Sequence, residues 1–109
     1  MGYIYLILET DKDGNNERHK IGITKNNPEK RVKQLSTGNS NVIRLLQAYE
    51  SINYKRVEQW LHSRYSTLKT EANNEWFHLT DEQVIGFLET CKKLDETIQL
   101  LLKDNYFYK

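Results

Sequence analysis

Residues 3–9 read YIYLILE and residues 18–24 read RHKIGIT, with the turn-forming DKDGNN at 11–16 between them. In the first run Ile4, Leu6 and Leu8 alternate with Tyr3, Tyr5, Ile7 and Glu9, the period-two pattern of a strand rich in β-forming residues. In the second, Ile21 and Ile23 alternate with Lys20, Gly22 and Thr24. Together they predict a β-hairpin. If the isoleucines are buried, the lysine and the bare glycine backbone share the other side of the strand. Glycine inside a strand weakens it. It marks either a bulge or a place where a ligand or another backbone comes close.

Outward from the hairpin, NNP at 26–28 offers Asn27 as a helix N-cap with Pro28 at the first helical position, and Gly38 in TGN suits a left-handed stop. A helix over about 28–36 fits between them, with Val32 and Leu35 as its apolar edge. VIRLLQAY at 42–49 reads as a third strand. Val57, Trp60, Leu61, Tyr65 and Leu68 predict a helix over 53–68, and NNEWFHL an extended or turn segment whose aromatic pair closes the core. TDEQ supplies a capping box, Thr80 with Gln83, for a long helix over about 80–103. Val84, Phe87, Cys91, Leu94, Ile98 and Leu101 form a heptad-like seam along it, which can pack on the chain's own sheet or on a second copy as a homodimer. The expected fold class is α+β, with one domain over 1–109, a core at about 3–79 and the C-terminal helix after it.

At 109 residues, 38% hydrophobic and 28% charged, the chain suits a small soluble domain. No apolar run approaches the roughly 18–20 residues of a bilayer span, and no signal-peptide pattern opens the sequence, so a cytoplasmic setting without membrane attachment is expected. One cysteine, Cys91, excludes an internal disulfide and a cysteine zinc site. There is no P-loop and no nucleophile elbow. The formal net charge is only +1, yet between Arg18 and Lys69 eleven basic residues stand against Glu29, Glu50 and Glu58, a net of +8, and the remainder carries −7. Such a block fits either a polyanion-binding face or a solvated helix surface.

Several side chains have suitable chemistry. Tyr5 carries a hydroxyl near a cation, Lys20, on the neighbouring strand. Arg31, in PEKRVKQL, can hold two phosphate oxygens and keeps its charge as negative charge develops. Glu58, in YKRVEQWLHSRY, lies four residues before His62 on one helical face, and a carboxylate is the natural ligand of magnesium. Each also has an ordinary role: strand packing for Tyr5, surface charge for Arg31, a surface pair with Lys55 or His62 for Glu58.

The order of these pieces, YIY ending at Tyr5, KIG at 20–22, Arg31 in a helix and Glu58 in a longer one, resembles the GIY-YIG nuclease superfamily. HKIGITKNNPEKRVKQLSTGN, VEQWLHSRY and NEWFHL look most like its small phage- and bacterial-type branch, and the likeness spans about 3–79. It implies a three-stranded antiparallel β-sheet flanked by helices and hydrolysis of DNA phosphodiester bonds dependent on Mg2+ or Mn2+. Tyr5 would help activate water, Arg31 would stabilise the phosphate, and Glu58 would hold the metal ion. Lys20 stands where a second tyrosine is usual and would supply charge. Contacts to single- or double-stranded DNA would come from Gly22, Lys25, Lys33, His62 and a late asparagine, Asn74 or its neighbour Asn73. The alternatives are a nucleic-acid-binding module of the same fold that does not cleave, and an interaction protein that dimerises through its last helix.

Overall fold

The computed structural model describes residues 1–69 and 76–104. Asn73 and Asn74, the two candidates for the late asparagine, lie outside the described residues. Four strands, β1 (Gly2–Thr10), β2 (Arg18–Thr24), β3 (Val42–Ser51) and β4 (Trp76–Phe77), form one antiparallel sheet in the order β3-β1-β2-β4. The expected three strands therefore become four. Phe77 pairs with His19 and Trp76 with Lys20, so two residues of the NEWFHL segment extend the sheet beyond β2. So short a strand has no periodicity to detect.

The central strand β1 is covered on both faces, and Ile4, Tyr5, Leu6 and Ile7 are all 1% exposed or less. On one face Ile4, Leu6 and Ile21 pack against Tyr54, Val57 and Leu61 of α2 (Tyr54–Arg64) and against Phe87, Cys91 and Ile98 of α4 (Phe87–Asp104). On the other, Tyr5 and Ile7 pack against Val32 of α1 (Pro28–Ser36), with Leu35, Ile43, Leu45 and Trp76 around them. Asn27 caps α1 as expected, its Oδ1 accepting from the Glu29 N–H at 2.8 Å.

The run VIRLLQAY does not alternate cleanly because β3 bulges. Leu6 pairs with Gln47 but Ile7 with Leu45, leaving Leu46 as the extra residue. The bulge resets the parity, so Ile43 and Leu45 reach the α1 side while Tyr49 reaches the α2–α4 side.

Two helices differ from expectation. The second ends at Arg64 and continues only as a 3-10 turn over Ser66–Leu68. The last is interrupted: α3 (Asp81–Ile85) carries the Thr80–Gln83 capping box, and Gly86, at φ −83° and ψ 5°, separates it from α4. The apolar seam continues across the break, which is why spacing alone joins the two pieces. Phe87, Cys91 and Ile98 of that seam are spent on the chain's own core. Asp95 fastens α4 further, accepting from Tyr49 Oη at 2.8 Å and Asn53 Nδ2 at 2.9 Å. No helix among the described residues is long and apolar enough to cross a membrane.

Candidate functional site

Tyr5 stands directly opposite Gly22 in the β1–β2 ladder. The register runs through Gly22 without a shift, so this glycine is not a bulge. A Cβ placed on it would lie 2.5 Å from Cζ and 2.9 Å from Cε1 of Tyr5, so the space that glycine leaves is filled by the phenol ring. Tyr5 thus carries its hydroxyl across β2, and Val32 packs with its ring from α1. Lys20 faces Ile7 rather than Tyr5, to which it is diagonal on the same face. Its ammonium lies 5.7 Å from the centre of the Trp76 ring.

Val32 anchors α1 to the sheet, and its neighbour Arg31 turns to a polar cleft of about 340 Å³. Thr24, Asn26, Asn27, Lys30 and Gln34 complete the lining. Arg31 Nη1 donates to Gln34 Oε1 at 3.3 Å. Thr24 belongs to β2 two residues beyond Gly22, so the Arg31 cleft and the Tyr5–Gly22 pair occupy the same end of one strand. Lys25 and Lys33 are exposed nearby in sequence.

Glu58 comes from α2, which lies on the other face of the sheet. The direction of α2 is fixed at two points. Tyr54 packs where a Cβ on Gly2 would fall, beside the strand end that holds Tyr3 and Thr24. His62 places Nε2 2.9 Å from the Ile21 carbonyl. The helix therefore runs antiparallel to β2. Glu58 sits four residues before His62, about 6 Å along the axis, which sets it level with the Ile23 region of β2. Among the described residues β4 pairs with β2 at His19 and Lys20 and not at this stretch. Tyr5 and Arg31 approach the Gly22–Thr24 end of β2 from one face, and the helix bearing Glu58 approaches it from the other.

His62 has a different occupation from the DNA contact expected of it. A carbonyl accepts only, so Nε2 is the protonated nitrogen, and the ring packs edge-on to Phe77 with centroids 5.1 Å apart. It is a strut between α2 and β2.

The opposite end of β2 holds a network that the motif reading did not single out. Glu9, 3% exposed, accepts from Arg18 Nε at 2.6 Å, Asn39 Nδ2 at 3.3 Å and Asn41 Nδ2 at 3.4 Å. Burial pushes its carboxyl up, but the three donors together with the Arg18 charge outweigh it and hold the pKa below the usual carboxylate range. The Arg18 guanidinium lies 4.1 Å from the centre of the Trp76 ring. His19 is buried, its Nδ1 accepting from the Leu79 N–H at 3.4 Å, and burial lowers its pKa. The signal available was the hairpin register, since Glu9 and Arg18 are directly opposed across it.

Cys91 is fully buried, and burial, then Asp95, pushes its thiol up to about 12, which removes it as a nucleophile. A larger cleft of about 660 Å³, lined by Asp95, Glu96, Gln99, Leu100, Leu102 and Lys103, runs along α4 and contains none of the candidate residues.

Among the described residues no group of three or more His, Cys, Asp and Glu side chains is gathered for a metal ion. A closed protein cage is thus not built there. A lone carboxylate still suits magnesium, which keeps several waters and shares substrate phosphate oxygens.

No curated protein and no solved structure matches the chain. One family model does match, over residues 2–92, and so takes in the four described strands, α1 to α3 and the residues set around β2. The chain belongs to the T5orf172 domain family, a phage-derived domain found in nuclease-like and DNA-binding proteins.

Proposed function

We propose that the protein is a DNA endonuclease of the GIY-YIG type, hydrolysing phosphodiester bonds with one Mg2+ or Mn2+ ion. The observation that carries this reading is the approach of Tyr5, Arg31 and the Glu58-bearing helix to one short stretch of β2, Gly22–Thr24. Glu58 would hold the ion, which when bound supplies charge neutralisation for a phosphate oxygen. Arg31 lies in a polar cleft large enough for a phosphate and can meet its developing negative charge with paired hydrogen bonds. Tyr5, as the phenolate after its own proton has gone to solvent, would orient the attacking water and take up its proton as the new P–O bond forms; the bond to the leaving sugar oxygen breaks and that oxygen takes a proton from solvent. Lys20, Lys25, Lys30 and Lys33 belong to the +8 segment and attract the nucleic-acid backbone.

One observation favours a second reading, a nucleic-acid-binding module that does not cleave: Tyr5 is 1% exposed. Incubation of purified protein with single- and double-stranded DNA, with EDTA, Mg2+ or Mn2+, separates the two. Metal-dependent cleavage establishes the enzyme. Binding with no cleavage under any condition establishes the module.

A further inference from the structure

Trp76, Arg18 and Lys20 form an aromatic–cationic cluster on the sheet face that also holds Tyr5. Trp76 is half-buried on the outermost strand, packed along one side with the Tyr5, Ile7 and Val32 cluster. The Arg18 guanidinium carbon lies over its ring, 4.1 Å from the centroid, and the Lys20 ammonium lies 5.7 Å from it. The stack is held in place from behind. Asn39 and Asn41 orient Glu9, Glu9 fixes Arg18 through Nε, and the Arg18 side chain remains 31% exposed. A guanidinium plane so restrained loses little freedom when another flat group lies on it.

We propose that this cluster is a stacking platform for an unpaired base, so that the nucleic acid taken by the protein is single-stranded where it crosses β4. Resting on the nucleic-acid reading above, the proposal adds the strandedness of the substrate. Bases stack on aromatic and guanidinium planes whatever their sequence, with a neighbouring cation on the backbone, and a duplex keeps those base faces covered. Arg18 lies four strand residues from Gly22, about 13 Å, and Lys20 about half that distance. A strand gripped at the platform therefore continues to the Gly22–Thr24 end without leaving the sheet face.

The test is metal-free binding by the full chain in EDTA, using a short oligothymidylate and the matching duplex. Wild type should prefer the single strand, Trp76→Ala should weaken that binding by about 10-fold or more while leaving the duplex little affected, and Trp76→Phe should restore most of it. In Trp60→Phe, whose only remaining tryptophan is Trp76, the single strand should quench emission. Single-strand binding unchanged in a folded Trp76→Ala, or an equal loss for duplex, overturns the platform. Should Trp76→Ala not fold, the quenching decides: quenching by the single strand alone supports the proposal, and none, or the same with duplex, overturns it. A protein that cleaves DNA yet fails these tests loses only the platform. One that passes them and never cleaves loses only the nuclease reading.

Discussion

The two ends of β2 are built from the same strand and serve opposite ends. At the Arg18–Lys20 end His19 and Lys20 are paired on both sides, His19 is buried, and Arg18 is tied to a carboxylate that is itself triply hydrogen-bonded. Beside Gly22–Thr24, among the described residues, β4 makes no pairing, and a polar cleft opens next to Thr24 with Lys30 and Arg31 of α1 in its lining. Buried polar groups are expensive unless every one has a partner, and the first end satisfies that condition. Charge kept near solvent beside space for a ligand is what the second end offers. On the proposed reading, rigidity at one end positions chemistry at the other.

The largest effect should come from the open end. On the proposed reading Glu58→Ala should reduce metal-dependent cleavage to background while the circular dichroism spectrum and metal-free DNA binding persist, because the variant loses the carboxylate assigned to the ion. Full activity in this variant rules out Glu58 as the principal ligand. Arg31→Ala should slow single-turnover cleavage by about 10²-fold or more if the guanidinium meets charge that develops during reaction. Arg31→Lys should recover little of it, lacking the planar fork. A lysine variant that cleaves like wild type would remove the paired-hydrogen-bond role.

The closed end should answer in stability instead. Glu9→Gln keeps the shape but removes the charge opposite a partly exposed Arg18, and should cost about 1–3 kcal/mol, read as a drop of several degrees in Tm. The pH dependence follows from the same groups. His19 and Glu9 both have depressed values in the fold, so each binds its proton more readily in the unfolded chain. Stability should be full between about 6.5 and 9, above which the buried Cys91 thiol opposes folding; it should begin to fall below 6.5 as unfolded His19 protonates, and fall again below about 4.5 as Glu9 follows. Glu9→Gln should shrink the second fall to the part that Asp11, held down by its backbone hydrogen bond from Asn15, contributes, and keep the first. A Tm profile identical in shape to wild type would mean that Glu9 is not a stabilising carboxylate.

Much of this contrast was legible in the residues. The alternation in YIYLILE and RHKIGIT specified the hairpin and its faces, and the cap at Asn27 and the Thr80–Gln83 box specified two helix starts, because those signals are local. Gly22 opposite Tyr5 follows from the register once the turn is placed. The β4 pairing and the Leu46 bulge were not legible, since each depends on contacts between distant segments and leaves no period of its own. Gly86 broke a helix whose apolar seam continues unbroken in sequence. His62 could not be told from a ligand-facing histidine until the Ile21 carbonyl stood beside it. Glu9 read as the polar tail of a strand, and became a buried acid only when the loop carrying Asn39 and Asn41 folded over it.

The most direct test of the open end as a cleavage centre is Tyr5→Phe, compared with wild type in single-turnover cleavage and in metal-free DNA binding. Phenylalanine keeps the ring that packs over Gly22 and beside Val32 and removes only the hydroxyl. The account predicts an intact fold, unchanged DNA binding and a loss of most of the cleavage rate. A Tyr5→Phe protein that cleaves DNA at the wild-type rate would contradict it, and would leave Tyr5 as a core side chain for which Gly22 makes room.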